Sequence, residues 1–138
     1  METIGTTIRR FYSPVQIGFA AFIGSPVAAC WCFAQNYKQL GKPETAMKWL
    51  VWGGGGSLVA LAFLCLVPFP KNFLHYVIPV GYSIGLREAA NRIHGDIIKQ
   101  QISFGGRLAS WWFVIGISSL FLVGVFGIMF IGFYFLKN

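Results

Sequence analysis

The chain has 138 residues, of which 56% are hydrophobic and 17% aromatic, and its 11 Lys and Arg outnumber 4 Asp and Glu to give a net charge of +7. That length holds one domain, and a mean hydropathy of +0.64 on so short a chain excludes an ordinary soluble globule, because most of the apolar surface has no core to enter. The basic balance does not point to nucleic acid, since no basic run is interleaved with aromatics; the Lys and Arg flank apolar stretches, as orientation signals and anionic-lipid contacts do.

A polar head ends at Arg9 and Arg10, and nothing between Phe11 and Tyr37 is charged. The first membrane span is predicted over 15–35. Gly18, Ala21, Ser25, Ala29 and Cys32 recur at helical spacing, which at about 100° per residue puts them on one stripe opposite Ile23, Val27 and Trp31. Such a stripe lets another helix approach closely, so Gly18, Ala21, Ser25 and Ala29 are assigned to helix packing. Pro26 removes a backbone donor and predicts a kink near Phe22. Val27-Ala28-Ala29-Cys30 has the outline of a lipidation signal, but Pro26, the bulky Trp31 and the apolar run beyond it argue against cleavage. Cys30 and Cys32 are two apart and point to nearly opposite sides, which makes them small hydrophobes and not a metal or redox pair; Cys65 also lies in an apolar stretch.

The polar link 36–48 places Pro43 and Glu44 at the start of a second helix, whose span is predicted over 49–67. Gly53-Gly54-Gly55-Gly56-Ser57 inside it lacks the lysine that a phosphate loop requires. Between Trp52 and Leu58 these residues read as a closely packed or locally unwound point, with Gly53 and Ser57 at a packing surface; ion binding at a broken helix is the alternative. Pro68-Phe69-Pro70-Lys71-Asn72 predicts a tight turn. A third helix is predicted over 73–100, its first half in the membrane and its second half in water. On the projecting half Leu86, Ala90, Ile93 and Ile97 share one face and Arg87, Asn91 and His94 another. Arg87, Asn91 and His94 are therefore the expected partner contact, while Glu88 and Arg92 form a helical ion pair. Glu88 and His94 diverge by about 120° around the helix, a poor arrangement for acid–base chemistry. His75 is isolated near the turn. Gly105-Gly106 turns the chain into the last span, predicted over 108–136 and free of charge, which is ample for a crossing of ~20 residues. Trp49, Trp52, Trp111 and Trp112 fit an aromatic belt at one interface.

The expected fold class is an all-α integral membrane protein, with residues 1–138 forming one membrane domain. It is a bundle of four transmembrane helices, the third short in the membrane and extended into water. Four crossings put Lys38, Lys42, Lys48, Arg87, Arg92, Lys99 and Arg107 on one side, seven against four; three crossings also give seven against four, so charge does not choose.

Phe11-Tyr12-Ser13-Pro14-x-Gln16-Ile17, then Gly24-Ser25-Pro26-x-Ala28 and Asn36-Tyr37-x-x-Leu40-Gly41-Lys42, resembles a recurring opening in small bacterial inner-membrane proteins. His94, Gly105-Gly106 and Ser110-Trp111 are similar to their later part. The resemblance implies a multi-pass protein of the bacterial inner (cytoplasmic) membrane and transfers no site.

No catalytic, cofactor or metal motif stands out. The sequence therefore predicts a non-enzymatic membrane binding protein in contact with the lipid bilayer. Its most natural form is an immunity or inhibitor protein acting on a membrane-active toxin or another membrane protein, with homo-oligomerisation compatible and no nucleic acid bound. The alternative is a small transporter or channel component, weakened because no acidic side chain lies within a span.

Overall fold

The computed structural model describes residues 9–68, 70 and 76–137. The tight turn at 68–72, the start of the third helix at Phe73 and the lone His75 fall largely or wholly outside them. The elements in order are β1 (Arg10–Phe11), α1 (Pro14–Gln39), α2 (Pro43–Lys48), a π-helical stretch (Trp49–Gly55), α3 (Gly56–Leu66), α4 (Ile78–Ser103), β2 (Arg107–Leu108) and α5 (Trp111–Lys137).

Helix α1 starts on a capping box. The Ser13 hydroxyl accepts from the Gln16 amide at 3.2 Å, the Gln16 side chain accepts from the Ser13 amide at 2.9 Å, and Pro14 occupies the first turn, where no donor is needed. It does not continue straight. Ser25 has φ 80° and ψ 165°, and the chain turns back on itself there. Proline at position 26 disfavours the helical region for the residue before it, so the break falls at Ser25 and Pro26 opens the second limb. In a straight helix Tyr12 and Asn36 would stand about 36 Å apart. Instead the Tyr12 amide donates to Asn36 Oδ1 at 2.8 Å, and Asn36 Nδ2 donates to the Tyr12 carbonyl at 2.9 Å. The Tyr12 and Trp31 rings meet edge to face with centroids 5.8 Å apart. The first span is thus a helical hairpin with limbs 14–24 and 26–39.

This revises the small-residue stripe. Gly18, Ala21, Ser25 and Ala29 are all buried, but the chain reverses between Ala21 and Ala29, so they do not form one face of one helix. Gly24, at the apex, rests on α5: a Cβ there would lie 2.7 Å from both Cα and O of Ser118. Gly18 rests on α4, where a Cβ would come within 2.9 Å of the Arg87 Cβ. Gly53 faces the hairpin's second limb, with a Cβ meeting Cys30 Sγ at 2.7 Å, and Ser57 bonds back to the Gly53 carbonyl. The glycine run is neither unwound nor broken; it widens into π-helix within a helix that continues from Pro43 to Leu66.

Three helices are long and apolar enough to cross a membrane: Pro14–Gln39, Pro43–Leu64 and Trp111–Lys137. They are used differently. In the most apolar stretch of the first, 67% of residues are buried, against 6% and 11% in the other two, so the hairpin is the core and the other two present their sides outward. The chain is mostly helical, as expected, with one addition: β1 and β2 form a two-residue parallel pair, Arg10 opposite Arg107 and Phe11 opposite Leu108. The short run between Gly106 and Trp111 carries no apolar period long enough to announce such a pairing. It is held by the Arg107 amide to Arg9 O at 3.0 Å and the Ala109 amide to Phe11 O at 2.8 Å, and Gln16 Nε2 adds a bond to Ala109 O at 2.7 Å. These bonds tie the chain's start, the hairpin's open end and the entry to α5 into one polar knot.

Candidate binding groove

Because both limbs of the hairpin open at the same end, Arg9, Arg10, Lys38 and Lys42 gather there, and β2 brings Arg107 beside them. The outer half of α4 runs along the same end. Between it and the start of α1 lies a groove of about 530 Å³, with Ser13, Val15 and Leu108 on one wall and Ile84, Arg87, Asn91, Lys99 and Ile102 of α4 on the other.

Its electrostatics follow from which charges are already paired. Glu88 also lines the groove, but its carboxylate accepts from Arg92 Nε at 2.9 Å, the only ion pair among the described residues. Both side chains are exposed, so that pair contributes a few tenths of a kcal/mol at most; its effect here is to neutralise the acid. Arg87 has no acidic partner among the described residues. The bare backbone of Gly18 leaves room for the Arg87 Cβ and Cγ, where a side chain would collide with them. The groove therefore combines an uncommitted cation, an amide and an apolar floor.

Of the three residues expected to form one recognition stripe, Arg87 and Asn91 are exposed and line the groove, whereas His94 is fully buried. Its ring lies 4.5 Å from Tyr37, edge to face, and 5.4 Å from Phe33, which stacks on Trp49 at 4.5 Å. Neither ring nitrogen has a hydrogen-bond partner. Burial, helped by the Lys42 charge, pushes its pKa down to about 4, so it is a neutral wedge joining α1 to α4. The reason is rotational. Ala90, His94 and Ile98 repeat every four residues and face the hairpin, while Ile93 and Ile97, expected on the apolar inner face, are 39% and 38% exposed.

Sequence reasoning missed Lys99, Ser13, Gln16 and Asn36. The first had no motif around it. The Ser-Pro-x-Gln spacing at 13–16 is itself a helix-start signal that would have found two of the others. Among the described residues no group of three or more His, Cys, Asp or Glu is placed to hold a metal ion. In comparison with protein-family models, curated proteins and solved structures, nothing matches this chain.

Proposed function

We propose that the protein is a non-enzymatic binding protein of the bacterial inner membrane, and that its α1–α4 groove receives an anionic group at the cytoplasmic surface. The observation that carries this reading is Arg87, without an acidic partner among the described residues and packed over Gly18, beside Asn91 over an apolar floor.

The hairpin supports a particular membrane placement. Each limb of 14–24 and 26–39 is about 16 to 20 Å long, roughly half the ~30 Å hydrocarbon thickness, which supports α1 entering and leaving by the same face, with 43–66 and α5 crossing and the return between them made by the segment that leads into α4. Arg9, Arg10, Lys38, Lys42, Lys48, Arg87, Arg92, Lys99 and Arg107 then share one side, nine of the 11 basic residues. The other side has Lys137 and, by its place in sequence between α3 and α4, Lys71. A ratio of nine to two supports a cytoplasmic basic end, with the C-terminus outside.

The immunity or inhibitor activity expected from the sequence is the form of this reading in which the anion belongs to a membrane-active toxin or another membrane protein. A photo-crosslinking residue at Asn91 tests the reading in intact membranes. It should yield a defined adduct that Arg87→Glu abolishes, while the same probe at Val59, exposed on α3, yields none that responds to that change. Adducts indifferent to the charge at position 87 would refute it.

One observation favours a transporter or channel component as a second reading. The hairpin apex brings together limb ends and the buried hydroxyls of Ser25 and Ser118, both without partners among the described residues, a grouping that would lie in the membrane interior in this placement. Ion flux into vesicles that is lost with Ser118→Ala would support it, and tight vesicles would remove it.

A further inference from the structure

We propose that the occupant of the α1–α4 groove is an anionic phospholipid, its phosphate at Arg87 and Asn91 and its net negative charge favoured by Lys99 further out. The inference rests on the reading of the groove as a binding site and names the ligand.

Depth selects a lipid. Arg87 lies level with Gly18, about one turn inside the start of α1 at Pro14, and so just below the hairpin's open end. A guanidinium at that level is where the phosphate and glycerol layer of the bilayer lies, and a lipid reaches it without leaving the membrane. The groove's chemistry changes along its length in the order a lipid requires. Ile84 lies one turn deeper, toward the acyl chains; Arg87 and Asn91 follow, with a charge and an amide donor suited to phosphate oxygens; Lys99 stands two turns further out. On the facing wall Val15, second in α1, has a backbone amide with no acceptor inside its own helix. The one acid in the lining, Glu88, is held by Arg92, so no free carboxylate opposes the phosphate. An acidic polypeptide segment would satisfy Arg87 equally well, but it would have to bury its backbone polar groups against Ile84 within the membrane.

The test uses the full chain in nanodiscs containing phosphatidylglycerol and phosphatidylcholine in equal amounts, with retained lipid identified by native mass spectrometry. At about fivefold per basic side chain near the surface, two contribute about a twenty-five-fold preference for phosphatidylglycerol. Arg87→Ala/Lys99→Ala should abolish that preference. Lys38→Ala/Lys42→Ala, which removes equal charge from the same end outside the groove, should lower it much less, and Arg87→Lys, which keeps the charge, should retain it. Equal loss in the two double variants would assign the effect to general surface charge and overturn the proposal, as would absence of any preference in the native chain. A photo-crosslinker at Asn91 separates the two layers of the argument. A lipid adduct supports the proposal; a polypeptide adduct without retained lipid overturns it and leaves the groove a binding site; no adduct and no retained lipid overturn both.

Discussion

The reversal at Ser25 makes opposite predictions from a straight helix, and the signs can be worked out. Serine at φ 80°, ψ 165° occupies a region populated almost only by glycine, at a cost of about 1–3 kcal/mol. Its hydroxyl is buried without a partner, which adds about 1–3 kcal/mol of lost solvation. Ser25→Gly removes both terms and restores about 0.5–1 kcal/mol of chain entropy to the unfolded state. The balance is stabilisation by about 1–5 kcal/mol. In an uninterrupted helix the same change would destabilise by about 0.5 kcal/mol, because glycine is the poorer helix former.

Pro26→Ala sharpens the contrast. Within a continuous helix, removing the proline would stabilise by about 3 kcal/mol. At the first position of a second limb its ring is already compatible, and replacing it should cost about 0.5–1 kcal/mol through the unfolded state. Ser25→Ala should fall below Ser25→Gly, since it removes the hydroxyl and keeps the positive φ. Reversible unfolding in mixed micelles gives the energies. Spin labels at Val15 and Gln35 give the geometry, with a separation well short of the roughly 30 Å of a straight helix. A destabilised Ser25→Gly, a stabilised Pro26→Ala and labels at full helical separation would together refute the hairpin.

Three further outcomes follow from the packing. Gly24→Ala should destabilise by at least about 2 kcal/mol, because its Cβ would press on the Ser118 backbone, which cannot rotate away, whereas Gly116→Ala, with nothing within 4 Å, should stabilise by about 0.5–1 kcal/mol; similar effects at both sites in the same micelle titration would deny the α1–α5 contact. Asn36→Ala strands both the amide and the carbonyl of Tyr12 and should cost about 2–4 kcal/mol, with Asn36→Asp losing chiefly the donated bond; a neutral Asn36→Ala would mean the open end of the hairpin is not closed there. His94 has a folded pKa of about 4 against about 6.5 unfolded, so only the unfolded chain takes up its proton between those values, and stability should fall by about 3 kcal/mol from pH 6.5 to 4; His94→Phe should flatten that slope, and an unchanged slope would assign it to other groups.

Helix content and the presence of helices long and apolar enough to cross a membrane were legible because they depend on composition and length alone. Leu108 to Leu136 without a charge admits few readings, and the helix-start residues Pro43 and Glu44 stand where the structure has them. The hairpin was harder to see, for a physical reason. Small residues at helical spacing permit close approach of any backbone, and a limb folding onto its own continuation needs them as much as a separate helix does. Gly18 and Ala21 in one limb and Ala29 and Cys32 in the other therefore satisfy one wheel by spacing and two surfaces in space. The local clue was Ser25-Pro26, read as a kink when the residue before a proline is itself pushed out of the helical region. His94 was misplaced because its face was judged by polarity. A neutral imidazole between Phe33 and Tyr37 is buried more readily than its charged form suggests, while Ile93 and Ile97 turn away from the hairpin and stay partly exposed.

The distribution of polar bonds also explains why the groove lies where it does. The side-chain bonds from Asn36 to Tyr12 and from Gln16 to Ala109, together with the β1–β2 pairing, all lie at the basic end; along the outward half of α5 the side chains from Phe126 to Leu136 are largely exposed and apolar. In a bilayer those outer halves need no partner, since lipid is as apolar as leucine, and their mutual position is weakly specified. At the basic end water competes for every backbone group, and order comes from bonds with fixed geometry. Arg87 hangs from that ordered end, with its stem on Gly18 and its helix wedged by His94. A ligand at Arg87 therefore meets a helix whose position is set before binding, which lowers the ordering entropy it must overcome. Loosening the wedge should weaken binding without touching the groove. His94→Ala, which leaves Arg87 and Asn91 in place but removes the ring between Phe33 and Tyr37, should lower the phosphatidylglycerol preference severalfold at normal membrane abundance. A preference unchanged in His94→Ala would show that the guanidinium finds its ligand without that support.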